Sequence, residues 1–387
     1  MSASPLTPVI LLTGFLGSGK TTLLNRLLAA PGLADSAVLI NEYGSVPIDH
    51  QLVRAGSERI EVLSNGCICC SVAGDLVRVL RDLYFKRANG EIPAFRRVII
   101  ETTGLADPAP VMHTLLEMPL VAARYVLSGV ITTVDAQHGA AQLDQHPEAV
   151  KQAAVADRIV LTKTDLVDKD VDGASVAALA ARLSALNPGA VQTRAVHGVT
   201  DFASLLDTGL YRPDGKSADV HRWLNEAAYK VISSSNKAPT SLLAASSATP
   251  RTESLDVHNA HDARINSWVM RIGHPVDWDA LESAIETLQG IAADRLLRIK
   301  GIVNVAGREQ PMAIHAVQHS LYPPVPLPAW PDDDHSTRIV FIVRDLSPEI
   351  VSKVMAGLMD DQEPNPIKLS NHSETQTPVA TSTATPI

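Results

Sequence analysis

The sequence is poor in cysteine and in aromatic residues: of 387 residues, three are Cys and 4% are Phe, Tyr or Trp. All three cysteines fall in Cys67-Ile68-Cys69-Cys70, which excludes an extracellular disulfide framework. No apolar run approaches the roughly 20 residues that a membrane-spanning helix needs. The opening MSASPLTP lacks the basic start and apolar stretch of a secretory signal. We therefore expect a cytoplasmic protein with no membrane partner.

The sequence also lacks any run of basic residues, and its net charge is -9. A protein that grips a phosphate backbone needs a positive surface, so we expect no nucleic-acid partner. What is present is an ordinary globular composition, 45% hydrophobic and 19% charged. Because 387 residues exceed one typical core, two domains are expected.

Residues 9–210 alternate apolar strands with helical stretches, the pattern of βαβ units on a parallel sheet. We predict strands at Val9–Thr13, Ala37–Asn41, Arg97–Glu101, Gly129–Thr133, Asp157–Thr162 and Val191–Arg194. We predict helices at Lys20–Ala30, Ala73–Phe85, Ala109–Glu117, Glu148–Ala156 and Ala174–Leu186. The predicted fold class is α/β, a doubly wound, mostly parallel sheet followed by a small α+β C-terminal domain.

Composition divides the chain further. The first predicted domain spans 1–230, and a Ser-, Ala-, Thr- and Pro-rich stretch at 231–263 is predicted to be a flexible linker. The C-terminal domain is predicted over 264–358, with helices from Trp278 to Leu288 and after Ser347-Pro348. Ordered structure is predicted to resume at INSWVMRI, with strands around 296–305, 312–318 and 338–343. Residues 359–387 are predicted to be a disordered tail.

The segment from Gly14 to Thr21 reads GFLGSGKT, which satisfies GxxxxGK[ST] between an apolar strand and a helix. Its glycines let backbone N–H groups surround phosphates, Lys20 would reach the β- and γ-phosphates, and the Thr21 hydroxyl would bind Mg²⁺. The alternative is a glycine-rich turn that binds nothing. The residues predicted to bind nucleotide here are Gly14, Gly17, Ser18, Gly19, Lys20, Thr21 and Thr22.

The second motif is the strand Arg97–Glu101, which ends in an acid and is followed by Thr-Thr-Gly104. This resembles the DxxG segment of GTPases, with Glu in place of Asp. Glu101 would lie beside the Mg²⁺ ion and the Gly104 amide near the γ-phosphate, so both are assigned catalytic roles with Lys20 and Thr21. The alternative is a strand followed by an ordinary turn.

Thr162-Lys163-Thr164-Asp165 ends another apolar strand and resembles the [NT]KxD motif that recognises guanine. A carboxylate at Asp165 can accept from both N1–H and the exocyclic N2–H of guanine, which adenine cannot offer. Lys163 and Asp165 are therefore predicted to bind the nucleotide, and GTP is favoured over ATP. Since parallel strands end at one sheet edge, the three motifs should meet there.

Cys67, Cys69 and Cys70 lie in SNGCICC, ahead of a predicted helix. Soft thiolates this close together suit Zn²⁺ or Cu(I). Three thiolates leave one tetrahedral position open for water, Glu42, a histidine or a client's ligand, as a site that releases its metal requires. Three buried small side chains are the alternative reading. His258 and His261 are kept outside this site, because solvated loop histidines are commoner than the alternative, an accessory metal-capture pair.

Read in order, GFLGSGKTT, NEYGSVPIDH, SNGCICC, IIETTGLADP, ADRIVLTKTDL and RIKGIV make the chain resemble a CobW-type metallochaperone GTPase. The resemblance covers about residues 8–210 and 265–355. It implies a metal site at CxCC and GTP-dependent delivery of zinc to a client metalloprotein. Cobalt, in cobalamin synthesis or metalloenzyme maturation, is the alternative metal, and a homodimer is left open. Ser45 and Pro47 depart from the family's usual acid and glycine.

The order of the motifs also predicts a mechanism. The cysteines lie between the segments around Glu42 and Gly104, both expected to respond to the γ-phosphate, so GTP would hold the metal site and hydrolysis would loosen it. No arginine finger is evident, which predicts slow turnover until a client or second subunit assists. The rival functions are a P-loop kinase and a metal buffer that holds nucleotide without turning it over.

Overall fold

The computed structural model describes residues 6–30, 35–41, 60–63, 72–167, 173–206, 224, 229–233 and 265–359. Two seven-stranded sheets organise these residues. One contains only parallel pairs, and the other is antiparallel apart from a single parallel pair. The predicted fold class is confirmed. Among the described helices, none is both long enough and apolar enough to cross a membrane.

The parallel sheet has the strand order β3-β2-β4-β1-β5-β6-β7. Its strands are β1 (Thr7–Gly14), β2 (Ser36–Asn41), β3 (Ile60–Leu63), β4 (Arg97–Glu101), β5 (Tyr125–Asp135), β6 (Arg158–Thr162) and β7 (Val191–Arg194). The chain moves outward to one side of β1 and later to the other. This order opens a crevice at the carboxyl ends beside β1, where α/β sheets bind their ligands.

Helices cover both faces of this sheet. They are α1 (Lys20–Ala29), α2 (Val72–Ala88), α3 (Ala109–Glu117), α4 (Pro119–Ala122), α5 (Gly139–Gln145), α6 (Pro147–Ala154), α7 (Gly173–Leu186) and α8 (Phe202–Leu206). Strand β1 is buried along its whole length: Val9 and Leu11 pack in the cluster with α2 and α3, whereas Ile10 and Leu12 pack in the cluster with α1. Burial on both faces explains why its sequence is almost continuously apolar.

Strand β5 is longer than the sequence predicts, because it spans Tyr125–Asp135 and not Gly129–Thr133. The pairing with β1 shifts register where Val9 faces Leu127 and Ile10 faces Gly129, so Ser128 is an extra residue in the strand. A β-bulge of this kind continues the strand through a break in the apolar pattern. Strand β3 and the short helices α4, α5 and α8 are also absent from the predicted elements.

The second sheet has the order β12-β11-β10-β14-β9-β8, with β13 paired to β11. Its strands are β8 (Lys230–Ser233), β9 (Ile265–Ile272), β10 (Leu296–Val303), β11 (Met312–Val317), β12 (Ser320–Leu321), β13 (Val325–Pro326) and β14 (Thr337–Arg344). Its helices are α9 (Trp278–Ala292), α10 (Pro348–Val354) and α11 (Ala356–Met359), with a 3₁₀ turn at Ala293–Arg295. The Asp277 carboxylate caps α9 by accepting from the Ala280 N–H at 2.9 Å.

Strand β8 covers residues 231–233, which the sequence assigns to the linker, and it pairs in parallel with β9. Its partner follows about 30 residues later, so local composition carries no signal for the pairing. The rest of the predicted linker up to residue 264, and the predicted tail from residue 360, lie outside the described residues.

The second sheet packs between two layers of helices. Trp268, Met270 and Ile272 of β9 point into the cluster formed with α9 and α10. Val269 points the other way, into a cluster that contains apolar residues of α6 and α7. Because side chains alternate along a strand, both faces of this sheet are apolar. The two sheets therefore share a core through α6 and α7.

A buried group of charges joins the sheets within that core. Asp157, at the start of β6, accepts from Arg298 at 2.8 Å and from Lys300 at 2.6 Å, both on β10. Its other oxygen accepts from the Val130 N–H at 2.9 Å. Burial alone would raise the pKa of Asp157, but the charges of Arg298 and Lys300 and these hydrogen bonds hold it well below its usual value. Asp157 is therefore ionised in the folded protein.

Asp157→Ala would leave two buried cations without a carboxylate, so we expect the free energy of unfolding to fall by about 3–5 kcal/mol. Urea unfolding followed by circular dichroism measures this change. Asp144→Ala is the control, because Asp144 pairs with Arg182 at 2.8 Å where both side chains keep some solvent exposure. That variant should lose about 1 kcal/mol or less, and equal losses in the two variants would contradict the prediction.

Candidate nucleotide site

The phosphate loop connects β1 to α1 through three glycines with positive φ: Gly14 at 139°, Gly17 at 71° and Gly19 at 88°. Such angles suit glycine and strain other residues. Gly14 is also crowded, because an added Cβ would lie 2.3 Å from the Thr133 hydroxyl oxygen. These constraints leave a loop of backbone N–H groups ahead of a helix N-terminus, which is an anion site by its geometry.

Lys20 lies at the base of this loop and is buried. Its Nζ donates to the carbonyl oxygens of Gly14 at 2.9 Å and Phe15 at 3.1 Å. Burial lowers the pKa of Lys20, and the negative charge of Glu101 offsets part of that shift. The ammonium group is thus held against the phosphate loop.

Thr21 and Glu101 come together from α1 and the end of β4. The Thr21 hydroxyl donates to Glu101 Oε1 at 2.7 Å, and Glu101 is buried. A hydroxyl and a carboxylate beside a phosphate loop are oxygen ligands of the kind that Mg²⁺ takes, together with waters and substrate phosphates. The donor set fits the magnesium ion expected from the sequence.

The segment after Glu101 lies directly against the phosphate loop. The Thr102 hydroxyl donates to the Thr13 hydroxyl at 2.9 Å, and a Cβ added at Gly104 would lie 2.5 Å from the Leu16 backbone nitrogen. On its other side, the Gln152 amide of α6 donates to the Gly104 and Ala106 carbonyls at 3.1 and 3.0 Å. Residues 102–106 are therefore held between the loop and α6.

The TKTD motif reaches the same edge of the sheet from β6. The Thr162 hydroxyl donates to the Ser18 carbonyl at 2.6 Å, which ties this motif to the phosphate loop. Lys163 has a φ of 57°, and its ammonium pairs with the buried Asp135 carboxylate at 2.8 Å. The three motifs meet at one edge, as the sequence predicts.

Asp165 has a partner that the sequence did not reveal. Its Oδ1 accepts from the His197 N–H at 3.3 Å, and its Oδ2 lies 3.2 Å from His197 Nδ1. His197 and Gly198 both have positive φ in a turn closed by two hydrogen bonds between Val196 and Val199. This turn orients the carboxylate that is the candidate for guanine recognition.

Among the remaining candidate residues, Thr22 lies exposed in the first turn of α1. The metal-site candidates Cys67, Cys69, Cys70 and Glu42 lie outside the described residues, as do Ser45, Pro47, His258 and His261. Within the ranges that the structure covers, no group of three or more His, Cys, Asp or Glu side chains could hold a metal ion. The zinc site therefore stays a prediction.

Sequence reasoning missed Asp135, Gln152 and His197. Asp135 had a usable signal, since it is an acid that ends a long apolar strand in the same manner as Glu101. Gln152 and His197 had none, because each acts on a residue more than 30 positions away. Their roles depend on how α6 and the turn after β7 pack.

Each of the two sheets lies in a region of the chain that matches a known protein family. Residues 8–193 match the family described as "CobW/HypB/UreG, nucleotide-binding domain", and residues 265–359 match the cobalamin synthesis protein CobW C-terminal domain. The chain is 34% identical to the zinc chaperone YjiA of Escherichia coli K12 over 351 residues, covering 90% of this chain and 98% of YjiA.

Two further relatives widen the comparison. The zinc-regulated GTPase metalloprotein activator 1 of Schizosaccharomyces pombe is 34% identical over 170 residues, covering 42% of this chain and 40% of that protein. The crystal structure of Zn(II)-bound YjiA GTPase from E. coli aligns with a TM-score of 0.61 at 28% identity, covering 92% of this chain and all of that one.

Gly104→Ala would push a methyl group into the Leu16 backbone, so the phosphate loop must shift. Such overpacking costs about 1–3 kcal/mol, and we expect affinity for a nonhydrolysable GTP analogue to fall by about fivefold or more. Fluorescent-nucleotide titration measures it. Gly273→Ala is the control, because nothing lies within 4 Å of its added Cβ. Unchanged binding by Gly104→Ala would show that the segment yields without cost.

Proposed function

We propose that this chain, which belongs to the CobW/HypB/UreG family and carries the CobW C-terminal domain, is a GTPase that delivers zinc to client metalloproteins. The observation that carries the nucleotide half is the meeting of Lys20, the Thr21–Glu101 pair and the Asp165 motif at one sheet edge. The metal half rests on the CxCC sequence and on the relatives described as zinc chaperones.

In this proposal, GTP binds with its phosphates in the loop from Gly14 to Thr21. Lys20 would turn from the loop carbonyls to the β- and γ-phosphates. Thr21 and Glu101 would hold Mg²⁺, which would neutralise phosphate charge. The Gly104 N–H faces the γ-phosphate, so hydrolysis to GDP and phosphate changes what this segment contacts. With no arginine finger evident in the sequence, turnover is slow until a client or second subunit assists.

Guanine is selected by Asp165. A carboxylate accepts both N1–H and N2–H, and hydrogen bonds to an ionised acceptor are stronger than neutral ones. Lys163, held by Asp135, places its aliphatic stem beside the base. The exposed apolar side chains of Leu166 and Val196, next to Asp165 and His197, suit the faces of a flat ring.

Zinc is the cargo, and Cys67, Cys69 and Cys70 are its proposed ligands, with Glu42 one candidate for the fourth. YjiA and the S. pombe activator are named for zinc, which supports zinc over cobalt here. A site with three thiolates and one open position can pass its metal to a client. GTP strengthens the site and hydrolysis weakens it, with the work done in the cytoplasm by a monomer or a homodimer.

The metal half is tested by Zn²⁺ affinity in competition with a chelating dye, measured with GDP and with a nonhydrolysable GTP analogue. Wild type should bind zinc more tightly with the analogue, because the γ-phosphate orders the segments that flank the cysteines. The Cys67→Ser/Cys69→Ser/Cys70→Ser variant should lose tight binding with both nucleotides.

The matched control is His258→Ala/His261→Ala, which removes two metal-binding side chains and should leave zinc affinity unchanged. Zinc affinity that ignores both the nucleotide and the thiols would sink the metallochaperone proposal. A GTPase of another purpose would remain.

The guanine half is tested by Asp165→Asn, which removes the charge behind two hydrogen bonds worth about 1.5–3 kcal/mol each. We expect GDP affinity to fall at least about tenfold, and affinity for xanthosine diphosphate to rise relative to GDP, because an amide can donate to the xanthine O2. Asp201→Asn is the control, since Asp201 only caps α8 through the Ser204 N–H. If Asp165→Asn still preferred GDP over xanthosine diphosphate as strongly as wild type does, Asp165 would not be the residue that recognises guanine.

A further inference from the structure

We propose that the second sheet takes part in sensing the nucleotide, and that Gln318 is the positioning residue through which it does so. Gln318 lies in the turn between β11 and β12 and holds the segment that follows Glu101. This inference rests on the proposed function, because it assumes that the Gly104 segment responds to the γ-phosphate of GTP. It assigns the C-terminal sheet a role in the nucleotide cycle.

The contact that carries this inference is made by Asp107, three residues after Gly104. Asp107 Oδ2 accepts from Gln318 Nε2 at 3.1 Å and from the Lys151 ammonium of α6 at 2.7 Å. Asp107 Oδ1 accepts from the Ala109 N–H at 3.0 Å, where α3 begins. One carboxylate thus joins the second sheet, α6 and α3.

The Asp107 carboxylate is ionised in the folded protein. Burial by itself would raise the pKa of Asp107, but the hydrogen bonds from Lys151, Ala109 and Gln318 and the charge of Lys151 leave it below its usual value. An ionised acceptor strengthens each of these hydrogen bonds. Gln318 therefore donates to an ionised carboxylate, and moving Asp107 away from Gln318 would cost the free energy of that hydrogen bond.

The segment from Gly104 to Asp107 is packed on two sides, so a displacement of Gly104 would also displace Asp107. The fully buried Gln152 binds the carbonyls of both Gly104 and Ala106, and its neighbour Lys151 binds Asp107. The phosphate loop closes the other side, with no space for a Cβ at Gly104. A segment confined on two sides transmits a shift along the chain, as packed elements do.

Gln318 is itself anchored in the second sheet. Its backbone is in the left-handed region, with φ at 50°, and its N–H donates to the Leu296 carbonyl of β10 at 3.0 Å. Gln289 of α9 donates to the Gln318 carbonyl at 3.1 Å. Two residues later, the Ser320 hydroxyl lies 2.7 Å from His113 Nδ1 on α3. The turn thus moves with β10, β11 and α9.

The decisive comparison is between GDP, which lacks the γ-phosphate, and a nonhydrolysable GTP analogue, each titrated with Mg²⁺ into the full chain. Gln318→Ala should weaken analogue binding by at least about fivefold, the lower end of typical coupling energies, and should leave GDP binding within about twofold. Gln318→Glu should weaken it at least as much, because a second carboxylate then faces Asp107. In steady state, the KM for GTP should rise in step with the loss of analogue affinity, while the inhibition constant of GDP should stay near its wild-type value.

His319→Ala is the matched control. His319 is the next residue, it is exposed, and its imidazole faces Asp294 at 3.6 Å, so its loss should alter neither nucleotide's affinity. Retained GDP binding shows that each variant is folded. A ratio of analogue to GDP affinity that stays at the wild-type value in both Gln318 variants would overturn the inference.

Hydrogen exchange on the wild type supplies a test that needs no variant. Residues 312–321 should exchange more slowly with the GTP analogue than with GDP, and Gln318→Ala should abolish that difference. Identical exchange in wild type with the two nucleotides would overturn the inference while leaving the GTPase intact. A wild type that neither binds the analogue nor hydrolyses GTP would instead sink the proposed function, and this inference with it.

Discussion

Strand β1 pairs with β4 on one side and β5 on the other, and the candidate nucleotide site depends on this pairing. The registers bring Leu12 opposite Glu101 and Gly14 opposite Thr133, so the phosphate loop, the acid and the buried hydroxyls leave the sheet at the same level. Parallel strands all present their carboxyl ends to one edge. A shift of one residue in the β1–β4 pairing would separate Thr21 from Glu101, and a shift in the β1–β5 pairing would separate Ser18 from Thr133.

Buried hydroxyls then fix the loops to one another. Ser18 contacts Thr133 at 2.6 Å, Thr102 donates to Thr13, and Thr162 donates to the Ser18 carbonyl. Each of these hydroxyls has a hydrogen-bond partner on another strand or loop, so moving one of them would leave its partner unpaired. The phosphate loop is preorganised by the strands around it, and nucleotide binding need not order it.

Helix α6 connects this site to the second sheet. Ala149, Val150 and Ala153 pack in the core shared with β9 and β10, while Lys151 and Gln152 face the segment after Glu101. The charges of Asp157, Arg298 and Lys300 hold β10 in the same core. A docked sheet that touches Asp107 is in a position to respond to the nucleotide.

The sequence by itself determined the parallel sheet, the phosphate loop, Glu101 and the TKTD motif, because each is a short pattern whose strand, turn and helix are encoded by adjacent residues. It also supplied the cysteine prediction, which stays a prediction. Only the tertiary structure decided that His197 orients Asp165, that β8 joins the second sheet, and that Gln318 meets Asp107. Those contacts join residues far apart in the chain, and their geometry follows from packing rather than from local pattern.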